Sequence, residues 1–302
     1  MKRYDFSGGR VVETESANHP IAVYIHPNDD EKRFLVEQFK LDEHTLNSSL
    51  DPDELSRIEF EPDHIAMILK RPRNYSAKEK FVFAISSFGI FWSKSFLIIV
   101  ISEDIPLFDL KIFSRIINTQ DVALKLIYRT IFHFLDHLKI INSISDALEQ
   151  KINTSMENNH LISLFTLEKS LVYYLNAINS NAACIEKLKY NANRIGFSTE
   201  HIEILDDIII ENSQCYKQAE IYSNILASLM DARASIVSNN LNVLMKTLNI
   251  ITIGIMVPTF VVSAFSMNVT IPLSKNPSAF LIIMGLAAIS VIIFMIIWKV
   301  RK

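Results

Sequence analysis

Hydrophobic positions gather at one end of the chain. From Thr247 to Ser274 there is no charged residue, and from Asn276 to Trp298 there is again none. About 20 apolar residues cross the hydrocarbon of a bilayer, so each run predicts a transmembrane helix. Lys275 alone separates them in charge, Lys246 precedes the first, and Lys299, Arg301 and Lys302 follow the second. The larger basic cluster marks the cytoplasmic side. The pattern therefore predicts a hairpin with both termini in the cytoplasm and a short external turn near residues 267–279, which holds Pro272 and Pro277.

Ahead of these runs the period changes. Residues 119–156, 159–193 and 199–248 carry apolar side chains at spacings of three and four, and no Pro occurs from Leu107 through Val257. That period predicts amphipathic helices, two or three of them very long, with weak breaks near Thr154–Asn159 and at Gly196. The last runs without a stop signal into the first apolar run. Taken over residues 200–268 it would span roughly 100 Å at 1.5 Å per residue. A helix that long cannot be buried within one small domain, so it is expected to form a stalk packed against copies of itself or its neighbours.

Residues 1–125 read as mixed α/β. Ile21–His26 is a strand candidate, Asp29–Phe39 a helix, and Asp51-Pro52-Asp53 looks like a cap leading a Pro-started helix. His64–Lys70, Phe81–Ser86, Ile90–Trp92 and Phe96–Ile101 are apolar and β-prone, with a turn at Ser93-Lys94. This predicts a hairpin-rich sheet with interspersed helices.

The first apolar run carries its own pattern. Steps of three and four connect Asn242, Met245, Asn249, Thr252, Met256, Thr259, Ser263 and Ser266, and six of these eight are Asn, Thr or Ser. Ser238 and Ser235 extend the series backwards. Such steps place all of them on one helix face. Polar groups facing lipid without partners are costly, so the stripe must face protein or water. Helix–helix packing is one reading, since small polar residues line such seams. A stripe crossing most of the membrane fits a pore lining better. One hairpin cannot enclose a channel, so the stripe predicts a ring-shaped homo-oligomer. With no carboxylate or His, it suits a hydrated cation, the state in which Mg2+ often stays. Met245, Leu248 and Met256 would supply apolar constrictions, and Pro258 is expected to free a carbonyl toward the pore.

Composition sharpens this. The 302 residues are 49% hydrophobic and 21% charged with net charge −3, and the mean hydropathy of +0.21 is high for a soluble enzyme. That balance excludes disorder and gives no basic face for nucleic acid. No GxGxxG or GxxxxGK[ST] passes through the six glycines, which removes the usual phosphate-cradling loops. The opening MKRYDFSGGRVVETES has no apolar stretch behind its basic start, so the first ~245 residues are expected in the cytoplasm. Cys184 and Cys215 are then free thiols in a reducing compartment. No nucleophile–base set or metal-ligand cluster suggests an enzyme. His133 and His137 flank Asp136, but two ligands do not make a metal site.

The segment Ser228–Asn268, SLMDARASIVSNNLNVLMKTLNIITIGIMVPTFVVSAFSMN, resembles the CorA family of divalent-cation channels. Residues 41–74 and 96–109 are similar to the family's segments in the same order, so the resemblance covers almost the whole chain. It implies an α+β membrane protein and a homopentamer in the lipid bilayer of the cell membrane. Residues 1–125 would form a cytoplasmic αβα domain and 126–246 a long-helix stalk. The first transmembrane helix would span 247–268 and line the pore, followed by an external loop over 269–279. The second helix would span 280–298 in an outer ring, with a basic tail at 299–302. The resemblance also assigns the stripe to the pore and Ser266, Met267 and Asn268 to a selectivity ring binding hydrated Mg2+. It implies cytoplasmic Mg2+ sensing, for which Asp206, Asp207 and Glu211 are the candidates, and no organic cofactor. Two departures stand out. The family's Gly-Met-Asn reads Ser266-Met267-Asn268 here, and the external turn VTIPLSKNPS carries no acid. They leave the ion open between Mg2+ and Zn2+, Co2+ or Ni2+, with a non-conducting scaffold or sensor as the remaining alternative.

Overall fold

The computed structural model describes residues 1–75, 81–108, 111–154, 158–267 and 276–300. It divides into two compact units, Met1–Met230 and Asp231–Lys302. The first is built on a seven-stranded sheet of β1 (Lys2–Ser7), β2 (Arg10–Glu13), β3 (Ile21–Ile25), β4 (Arg57–Phe60), β5 (Ile65–Pro72), β6 (Ile85–Trp92) and β7 (Leu97–Ile101), in the order β2-β1-β3-β7-β6-β5-β4. Neighbours pair antiparallel except β3 and β7, which run parallel in the register Ile21↔Leu97 to Ile25↔Ile101.

Alternation along the central strands explains the layers. Ala22, Tyr24, Ile98 and Val100 pack with Leu35, Leu41 and Leu46 from the side of α1 (Asp29–Phe39) and α2 (Glu43–Ser48). Val23, Ile99, Ile101 and Trp92 face the other way. They meet the long helices α3 (Thr119–Thr154), α4 (Asn158–Tyr190) and the start of α6 (Thr199–Ala264). Between α4 and α6 stands the single turn α5 (Ala192–Ile195), which ends at Gly196 in the left-handed region. The αβα arrangement expected for the cytoplasmic part is the one observed.

Local chemistry sets the element ends. Asn28 and Glu31 form a capping box on α1. Asp42 caps α2, accepting from the Thr45 N–H and hydroxyl, which hold its carboxyl below the usual range. Asn181 on α4 accepts from the Lys70 N–H and donates to the Lys70 carbonyl, both at 2.8 Å, which docks the helix onto β5. At the start of α6, His201 Nε2 lies 2.7 Å from Asp121 Oδ1, while the same carboxylate accepts from Ile117 and Asn118 at the head of α3.

Two local expectations fail for physical reasons. Asp51-Pro52-Asp53 is a turn, not a helix start: the Asp53 N–H donates back to the Asp51 side chain, and the Asp51 and Pro52 carbonyls take Ser87 Oγ and Lys70 Nζ. Of Phe81–Ser86, only Ile85 and Ser86 join a strand, because the Phe83 N–H is spent on Ser170 of α4 at 3.2 Å. β1, β2, β4 and α2 are too short and too polar to have carried a periodic signal.

The second unit contains the C-terminal part of α6 and α7 (Ala279–Val300). Both helices are long and apolar enough to cross a membrane by length and composition. Along the apolar part of α6 the partly covered positions are Ile250, Gly254, Val257, Pro258 and Val261, followed by Phe265 just past its end. On α7 Ala287 is buried and Ala279, Ile283, Ser290, Val291 and Phe294 are partly covered, and a Cβ at Gly254 would stand 3.6 Å from Phe294. The two helices thus meet along small and apolar positions, as membrane helices do.

Candidate functional site

The polar stripe of α6 lies on the side of the helix away from that seam. Asn242, Met245, Asn249, Thr252, Met256, Thr259, Ser263 and Ser266 are all exposed. They alternate by helical phase with the partly covered positions, so the chain's own second helix does not cover them. A seam with α7 is therefore not what the stripe is for.

Its hydroxyls share one geometry. Thr252 donates to the Leu248 carbonyl at 2.9 Å, Thr259 to Ile255 at 2.7 Å, and Ser266 to Val262 at 2.9 Å. Each hydroxyl has one proton, and here the helix uses it. What remains free on each oxygen is acceptor capacity. The three stand seven residues apart, about 10 Å of helix rise between each and the next. The stripe therefore offers acceptors to whatever faces it, with Asn242 and Asn249 as amides that can also donate. Such a surface matches the outward protons of a hydrated cation. Met245, Leu248 and Met256 are exposed on the same side, which leaves apolar belts between the polar levels.

Helix α6 ends at Ala264. Ser266 and Met267 lie in the tight turn that follows, where Phe265 and Ser266 donate to Val262 and Ser263. Asn268 lies outside the described residues, as do positions 269–275 of the external loop. The Pro258 expectation changes. Proline has no N–H, so the carbonyl it leaves without a partner four residues back is that of Gly254, which stands on the α7 side and not on the stripe.

In the first unit the carboxylate trio is not drawn together. Asp206 pairs with Lys189 of α4. Asp207 and Glu211 instead raise the Tyr128 hydroxyl pKa on α3, after burial as the main cause. Among the described residues no cluster of three His, Cys, Asp or Glu has metal-binding geometry. Lys189 was invisible to spacing arguments, because it reaches Asp206 across the break at Asn191–Gly196.

His137 is a core histidine, and His133, one turn before it, is partly buried. His137 Nδ1 lies 2.7 Å from the Tyr174 hydroxyl, and its ring stacks on Tyr174. Burial holds both imidazoles at about 4. Cys184 and Cys215 are buried free thiols, and burial pushes both up to about 12.

Residues 22–302 match the family described as CorA-like Mg2+ transporter protein. The chain belongs to the CorA family. It is 24% identical over 285 residues to the cobalt/magnesium transport protein CorA of Methanocaldococcus jannaschii, covering 90% of this chain and 87% of that protein. The complete structure of the M. jannaschii CorA magnesium transporter has the same fold, with a TM-score of 0.82 at 21% identity over 99% of this chain and 96% of that one. The full-length CmaX protein shares the fold at a TM-score of 0.71 and 15% identity, over 100% and 98% of the two chains. Membership places this chain in a family of membrane transporters, with a soluble N-terminal domain, a long helix and two C-terminal apolar helices.

Proposed function

We propose that the chain is a channel subunit that passes hydrated divalent cations, Mg2+ first, into the cytoplasm through a ring of five copies. The carrying observation is the acceptor-presenting stripe of α6 on the face that α7 leaves open. One hairpin cannot surround a pore. Five stripes facing a common axis can, with Asn242, Asn249, Thr252, Thr259, Ser263 and Ser266 as polar levels and Met245 and Met256 as belts. In this reading Ser266, Met267 and Asn268 form the outer ring, the Asn268 amide oxygen accepting from the ion's waters. α7 meets lipid, and both termini lie in the cytoplasm. An inside-negative potential favours entry of a doubly charged ion by about 4–5 kcal/mol per 100 mV. Asp206, Asp207 and Glu211 are the cytoplasmic sensing carboxylates of this reading, acting between copies, with Asp206 released from Lys189 when an ion binds.

Divalent flux into liposomes tests the proposal, with Mg2+, Co2+, Ni2+ and Zn2+ offered separately. Asn268→Ala should lower Mg2+ flux at least tenfold. Thr259→Val keeps the shape and removes one acceptor level, and should lower it several-fold. Wild-type protein that is folded and silent, and conducts only as Ser266→Gly, would overturn the reading in favour of a non-conducting scaffold.

A further inference from the structure

The first unit contains a cavity of about 200 Å³ between the sheet and α3 that the transport reading does not use. Its floor is apolar and includes Phe88 and Ile101, and Arg71 and Asn74 line one side of it. Arg129 and His133, one turn apart on α3, line another.

Arg71 is the unusual member. It is only 4% exposed, and burial lowers its pKa from the ordinary guanidinium value. A buried guanidinium is costly unless its charge and all its N–H groups are satisfied. Here the satisfaction is incomplete. Arg71 Nη2 reaches Glu103 at 3.3 Å and Nη1 reaches the Pro72 carbonyl, but the buried Nε has no hydrogen-bond partner. Glu103 is also shared, since Arg73 Nε bonds its other oxygen. Among the described residues, two guanidinium groups share this one carboxylate, which leaves positive charge at this wall.

The opposite wall carries Arg129, which has a partner of its own, and His133. His133 is held neutral at about 4 by burial, then by His137, Arg71 and Arg129, so it contributes a neutral ring with one N–H. Asp136 is the carboxylate lining the cavity among the described residues, and it is engaged by Lys139 at 3.0 Å. An apolar floor with converging guanidinium groups is the construction that recognises a compact oxyanion, because guanidinium matches phosphate and carboxylate geometry.

We infer that this cavity is a binding site for a phosphoryl-type oxyanion, held by Arg71 with Arg129, His133 and Asn74. The volume admits a phosphate ion or a small phosphate ester and is below the range of pockets that enclose larger ligands. The ion would complete the charge at Arg71, and it would tie the end of β5 to α3.

Equilibrium dialysis of radiolabelled inorganic phosphate against the full-length protein in detergent micelles tests this, in a Mg2+-free chloride buffer of fixed ionic strength. Saturable binding of one phosphate per chain is expected. Arg71→Gln should weaken it at least tenfold. Because Arg71 is buried, Ile105→Trp serves as the second variant, narrowing the cavity from a partly exposed lining position without changing charge, and should also abolish binding. Displacement by glycerol 3-phosphate at lower concentration than by phosphate assigns the site to an ester, and the reverse order assigns it to the free ion. Absence of saturable binding in wild type, or binding unchanged in Ile105→Trp, overturns the inference.

Discussion

The two units treat the same kinds of side chain in opposite ways. In Met1–Met230 the large apolar groups are withdrawn: Trp92, Phe91, Ile99 and Tyr174 are all buried. In Asp231–Lys302 they stand outward, Phe260 at 75% and Phe280 at 72% exposed, and Ala287 is the buried residue among those described. A water-soluble domain cannot carry such a surface. The first unit folds by hiding apolar area from water. The second leaves its apolar area outward on helices long and apolar enough to cross a membrane, with the stripe as a polar face among its described residues.

Truncation should separate the units most strongly. Phe91→Ala removes a ring packed in the sheet and should cost about 3–5 kcal/mol, as core Phe truncations do. Phe280→Ala removes one with no such packing and should change stability much less. Thermal unfolding of each variant in micelles, followed by circular dichroism, makes the comparison. Equal losses would mean that Phe280 packs as tightly as a core residue.

Acid comes next. His133 and His137 sit at about 4 in the fold against an ordinary 6.5. Between those values the unfolded chain binds protons that the folded unit refuses, so stability falls as pH drops from 6.5 toward 4 and does not depend on these groups above that window. Melting temperature against pH should show the slope, and His133→Gln should reduce it. The membrane unit, which has no His, should not contribute.

The smallest effect contrasts two glycines. A Cβ at Gly89 of β6 would meet Ser49 Cβ at 2.7 Å and Phe91 Cε2 at 2.8 Å, whereas one at Gly285 of α7 would meet nothing within 4 Å. Gly89→Ala should cost about 1–3 kcal/mol through overpacking. Gly285→Ala, in a helix interior with open space around it, should be neutral to stabilising by up to about 1 kcal/mol, because Ala loses less conformational freedom there than Gly. Urea unfolding in micelles measures both.

These contrasts also show which parts of the molecule were legible beforehand. The helix over Asp29–Phe39, the strand beginning at Ile21 and the long helices from residues 119 and 199 were readable because their periodicity or caps are local. The short strands β1, β2 and β4 were not, because segments such as KRYDFS and RIEF become strands only when a neighbour supplies hydrogen bonds. The α6 stripe was legible for the same reason that its chemistry was not complete. Residue spacing places Thr252, Thr259 and Ser266 on one face, but only coordinates show each hydroxyl proton committed to its own helix.

The sequence by itself determined the two apolar spans, the stalk helix feeding the first, the polar stripe and the resemblance to CorA, since all of these are written in consecutive residues at fixed periods. Tertiary structure alone decided which face of α6 the second helix covers, that Asp206 answers to Lys189, and that Arg71 and His133 share a cavity. Those facts depend on side chains that meet across elements far apart in the chain, and no local period encodes such meetings.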